Sequence, residues 1–128
     1  VARRARQRYG PVIDAQALLA MLEDSSVVRH PTEMRFDDAK LEPGEFAWPE
    51  PGGWGPSDGF ILWTHPIFAD RPWTWPYIAA YHIPSVNYGP AATQVEAEAF
   101  GAALLDQPVE AYYQALCALA DAAWPGRR

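Results

Sequence analysis

Between Pro72 and Val95 the chain runs for 24 residues without an Asp, Glu, Lys or Arg. Charged side chains make up 20% of the protein, so a gap of this length marks a segment unlike an ordinary solvated surface. Three settings suit it: the protein's own core, an interface, or a lipid bilayer. The stretch is long enough to cross a bilayer, but Pro72, Pro76, Pro84 and Pro90 oppose a spanning helix, and His82 and Asn87 are polar. No membrane partner is expected, and the chain reads as soluble.

Within this stretch Tyr77 to Ile83 is a nearly continuous apolar run, and so is Gly59 to Thr64. Both are expected as central strands. From Val28 to Phe36 apolar and polar residues alternate, which predicts a half-buried strand that Pro31 confines to a sheet edge or a bulge. Residues 37 to 59 are dominated by Asp, Glu, Pro and Gly and read as a long loop, with a short strand at Glu45 to Trp48.

Helices are signalled by their ends. Asp14 is placed to cap a helix over Ala15 to Glu23. Thr93-Gln-Val-Glu96 has the spacing of a capping box and opens a helix to about Leu105. Pro108 suits the first turn of another helix, where Val109, Tyr112, Tyr113, Leu116 and Leu119 recur at helical spacing as far as Trp124. The short Asp106-Gln107 link makes these two an antiparallel hairpin. The expected class is α+β: a small, mostly antiparallel sheet of three or four strands, with an N-terminal helix and a C-terminal helical hairpin packed on one face. Residues 1–10 are expected as a flexible basic tail ahead of a single domain at 11–128.

Charge is unevenly distributed. Arg3, Arg4, Arg6, Arg8, Arg127 and Arg128 supply six of the ten cations, which leaves four cations against all sixteen carboxylates between Tyr9 and Gly126, a net of −12. Such a body repels nucleic acid and anionic lipid, so no nucleic-acid partner is expected. The one cysteine, Cys117, cannot form an internal disulfide and fits a reducing, cytoplasmic setting.

Chemistry-bearing motifs are sparse. Ser57 and Ser85 lack the G-x-S-x-G elbow, Asp37-Asp38 does not match a calcium loop, and the glycines of EPGGWGPSDG do not follow a strand and open a helix as a phosphate-binding loop would. His30, His65 and His82 fall on or at the end of expected strands, and three converging imidazoles would hold a divalent metal, with a carboxylate such as Asp70 as a further ligand. Their spacings, 35 and 17 residues, match no clustered metal motif. A small metal-dependent enzyme or metal-binding protein built on His65 and His82 is the alternative reading.

The aromatic residues carry the leading one. Trp48, Trp54, Trp63, Trp73, Trp75, Tyr77, Tyr81 and Tyr88 cluster where charges are scarce, a composition shared by protein interfaces, small-molecule or sugar pockets, and small cores filled by large side chains. Trp54, Trp73 and Trp75 sit in proline- or glycine-rich segments and are expected at a contact surface. The expectation is a non-catalytic binding or self-association module using Trp54, Trp73, Trp75, Tyr77, Tyr81 and Tyr88, with a protein partner or a second copy of the chain.

Overall fold

The computed structural model describes residues 2–52 and 58–125. The elements run α1 (Ala2–Tyr9), α2 (Ala15–Met21), β1 (Thr32–Phe36), β2 (Ala47–Pro51), β3 (Phe60–Thr64), α3 (Trp75–Tyr88), α4 (Gln94–Leu104) and α5 (Val109–Ala123), with 3₁₀ turns at Pro66–Phe68, Pro72–Thr74 and Gly89–Ala91. The class is α+β, as the sequence indicates.

The sheet is mixed rather than mostly antiparallel. Its order is β1-β3-β2, with β3 parallel to β1 and antiparallel to β2. Phe60, Leu62 and Thr64 are buried on the helix-covered face, and Ile61 and Trp63 alternate onto the other. The fully buried core joins Leu18, Met21 and Leu22 to Leu62, Phe68, Ile78, Ile83 and Leu104.

The expected strand at Tyr77 to Ile83 is instead the middle of α3. Seven of its residues, Pro76, Ile78, Ala79, Ala80, Ile83, Pro84 and Val86, are buried and cover most of the helix circumference, leaving a narrow half-exposed strip of Tyr77, Tyr81, Ser85 and Tyr88. That strip carries tyrosines and a serine rather than charged residues, so the sequence shows little 3.6-residue polar period and resembles a buried strand. Pro76 lies in the first turn, where its missing N–H costs nothing, and Gly89 ends the helix at a φ of +60°. The charge-free stretch is thus largely a central helix.

Residues 2–9 form α1 rather than a flexible tail. Ala5 is buried and Ala2 and Tyr9 pack on the core. The arginines then meet the acidic body: Arg6 donates to the Leu104 carbonyl at 3.3 Å and lies 3.7 Å from Asp106, and Arg8 lies 3.5 Å from Asp24. Tyr9 Oη donates to Asp24 at 2.6 Å. Hydrogen bonds from Tyr9 and then from the side chain and backbone of Ser26, with the Arg8 charge, hold the Asp24 carboxyl down at about 2. Charge complementarity between a basic segment and an acidic body orders what composition alone marks as a tail.

The helix ends follow their signals closely. Asp14 accepts from the Ala17 N–H at 2.8 Å, and the Thr93/Glu96 capping box is reciprocal. Helix α5 begins at Val109, with Pro108 as its N-cap rather than inside its first turn. Between α4 and α5, the N–H of Asp106 donates to the Ala103 carbonyl and that of Gln107 to Ala102, with Asp106 at a φ of +55°. This is a Schellman ending whose left-handed position, usually glycine, holds aspartate.

Candidate functional site

The proline-rich connection from β3 into α3 is braced from below. Thr74 Oγ1 donates to the Arg71 carbonyl at 2.7 Å, and the Trp75 indole N–H donates to the Phe68 carbonyl at 2.8 Å while its ring packs on Phe36. Trp75 is therefore a strut. Two residues earlier Trp73 projects outward and is 68% exposed, the most exposed tryptophan among the described residues.

Trp73 forms one wall of a groove of about 640 Å³, within the ~300–1,000 Å³ typical of ligand sites. The lining comes from three segments: Pro72, Pro76 and Tyr77 at the start of α3, Pro11, Val12 and Asp14 ahead of α2, and Arg6 with Asp106 and Gln107. Tyr77 is fixed from two sides. Its hydroxyl accepts from Gln107 Nε2 at 2.6 Å, and its carbonyl accepts from the Tyr112 hydroxyl at 2.7 Å, with the two tyrosine rings stacked 6.0 Å apart. Burial, reinforced by the charges of Tyr81, Tyr77 and Glu98, pushes the Tyr112 phenol far above its ordinary range, so it stays a neutral donor.

Arg6 is engaged by the Leu104 carbonyl and Asp106, whereas Asp14 is exposed and uses Oδ1 for its cap. The groove thus has an apolar, proline- and aromatic-lined body and a rim with one more carboxylate than cations. Val12, at 76% exposure, has no signal in the sequence, and Asp14, Asp106 and Gln107 are legible there only as a helix cap and a helix link, not as binding residues.

The other aromatic candidates lie elsewhere. Tyr81 is half-buried, packed against Phe46 and His82 and facing α5. Tyr88 is exposed under the Arg29 guanidinium at the far end of α3, roughly 20 Å of helix from Trp75. Trp54 lies outside the described residues. Among the described residues the expected single surface divides, and of these candidates only Trp73 and Tyr77 line the same groove.

The histidines do not converge. His30 packs on Phe60, at one end of β3, and His65 follows Thr64 at the other, roughly 15 Å apart along a five-residue strand. His65 Nδ1 accepts from the Ile67 N–H at 3.2 Å, capping a 3₁₀ turn, and its ring stacks edge-on against Trp124. His82 is held against Phe46 and Tyr81, and its buried Nε2 has no hydrogen-bond partner among the described residues. Burial pushes its imidazole down to about 4, so it is neutral at pH 7. Among the described residues no group of three or more His, Cys, Asp or Glu is arranged to hold a metal ion. Asp70 is exposed in the loop after Phe68.

Among the described residues, no helix is long and apolar enough to cross a membrane. No family model matches the chain, and comparison with curated proteins and with solved structures finds no match.

Proposed function

We propose that this chain is a non-catalytic binding module whose ligand site is the Trp73–Tyr77 groove, and that its partner is a protein segment combining apolar or proline side chains with a neighbouring Lys or Arg. The observation that carries this reading is the pairing of a 68% exposed indole with a rigidly held tyrosine in one preformed groove. Trp and Tyr are enriched among the residues that dominate interface energetics. Aromatic and proline walls suit an extended, proline-containing segment, whose conformation is largely preset before binding. Asp14 and Asp106 at the rim complement a basic residue.

Two further observations agree with a protein partner rather than nucleic acid or lipid. The body is acidic, and Arg6 and Arg8 are committed to Asp106 and Asp24. Cys117 is an exposed free thiol, which suits a reducing compartment.

The test is a fluorescence titration with two synthetic peptides, a proline-rich peptide bearing arginines and the same peptide with glutamates in their place. Binding of the first, weak binding of the second, and loss of the signal in Trp73→Ala support the reading. Equal binding of both peptides, or binding unchanged in Trp73→Ala, removes it.

A further inference from the structure

The two edges of the sheet are built differently. On β2 the residues bonded to β3 are Trp48 and Glu50, bracketed by the Phe46 carbonyl accepting from His65 and the Gly52 N–H donating to Gly59. The outward positions are then Ala47, Pro49 and Pro51, and the two prolines have no N–H to offer a further strand. That edge is blocked.

On β1 the Pro31 carbonyl accepts from Phe60 and the Asp37 N–H donates to Thr64, so Glu33 and Arg35 bond to β3 and Thr32, Met34 and Phe36 turn their backbone groups outward. Thr32 N–H is used by the Leu22 carbonyl. No partner is found among the described residues for the outward N–H groups of Met34 and Phe36. No proline protects them.

We infer that β1 is a self-association edge, pairing antiparallel with β1 of a second copy about a two-fold axis at Met34 and joining the two sheets into one of six strands. This goes beyond the groove reading and does not depend on it. The pairing follows from the pattern of the strand. Centring on Met34 sets Met34 opposite Met34, a pair free to exchange both backbone hydrogen bonds, and Thr32 opposite Phe36, where the Thr32 N–H stays with Leu22 and its carbonyl is left to accept from the partner's Phe36 N–H. Glu33 then falls opposite the partner's Arg35, and Arg35 opposite the partner's Glu33. These are non-hydrogen-bonded positions, where cross-strand side chains come closest. Glu33 and Arg35 are exposed and pair with each other within one chain, so the second copy extends an ion pair already formed into a four-charge cluster. The edge is self-complementary in hydrogen bonds and in charge, as a two-fold interface must be.

Sedimentation equilibrium from low micromolar to near-millimolar protein tests it. The chain is expected to show a monomer–dimer equilibrium, and Arg35→Glu or Glu33→Arg alone, each placing like charges opposite one another, weakens the dimer about tenfold or more. An equimolar mixture of these two variants re-forms a heterodimer, and the double exchange restores the homodimer. Met34→Pro, which removes the central N–H at an outward position, abolishes dimerisation, with circular dichroism confirming the fold. A monomer at every concentration overturns the inference. So does a dimer indifferent to Arg35→Glu, or failure of the two single variants to pair; loss of the dimer on Trp73→Ala alone would place the contact at the groove instead.

Discussion

Gly101 lies inside α4, where alanine would ordinarily favour the helix by about 1 kcal/mol. Here the substitution Gly101→Ala is expected to do the reverse. A Cβ at this position would sit under 3.0 Å from Cζ, Cε2 and Oη of Tyr112. The Tyr112 ring cannot swing aside freely, because it is fully buried, stacked on Tyr77 and tied by its hydroxyl to the Tyr77 carbonyl. Overpacking costs about 1–3 kcal/mol, and displacing the hydroxyl from its acceptor adds about 1–3 kcal/mol. After the propensity gain the net loss is about 1–5 kcal/mol, a fall in Tm on the order of 10 °C for a domain of this size. Denaturant unfolding of Gly101→Ala, Tyr112→Leu and the double variant measures the coupling. In the Tyr112→Leu background, Gly101→Ala should be neutral or stabilising. If Gly101→Ala stabilises the otherwise unchanged protein, the close approach of α4 and α5 that holds Tyr77 in the groove is wrong.

Two other perturbations follow from single side chains. His82 has a folded pKa of about 4 against about 6.5 unfolded, so the unfolded chain takes up the proton first. Its stability contribution is intact above pH 6.5 and is lost as pH falls from 6.5 towards 4, by on the order of 3 kcal/mol in all. His82→Phe should flatten that part of the stability–pH curve in denaturant melts, and parallel curves would contradict the assignment. Asp106 holds a left-handed conformation that favours glycine, and its own side of the 3.7 Å pairing with Arg6 is largely exposed. Asp106→Gly should therefore raise stability by about 0.5–1 kcal/mol, read by thermal unfolding, because the backbone relief exceeds the value of an exposed ion pair. A loss of stability would assign the larger share to Arg6.

What was legible in the sequence is what is decided within one turn or one strand. The Asp14 cap and the Thr93/Glu96 box are contacts three residues apart, and β3 shows its buried and half-buried residues along five positions. Helix α3 reads as a strand because its half-exposed strip is filled by Tyr77, Tyr81, Ser85 and Tyr88 instead of charges, which hides the periodicity that distinguishes helix from strand. Helix α1 was misread because what orders it, Asp24, Leu104 and Asp106, lies elsewhere in the chain. The aromatic segment did contain part of the groove, Trp73 and Tyr77, but the rest of its lining comes from Arg6 and from residues 11–15 and 105–107. No local pattern joins them. Parity along β3 and β1, which sorts Trp63, Glu33 and Arg35 onto one face and Met34 onto the other, becomes informative only once the register is known.

The binding site itself is tested most directly by mapping amide and side-chain NMR shifts during titration with the arginine-bearing proline-rich peptide. Saturable shifts confined to the Trp73 indole, Val12 and the Gln107 side chain, and absent in Trp73→Ala, are the expected result. Shifts centred instead on the Trp48–Trp63 sheet face or on Tyr88, with the Trp73 indole unmoved, would contradict a ligand site in the groove.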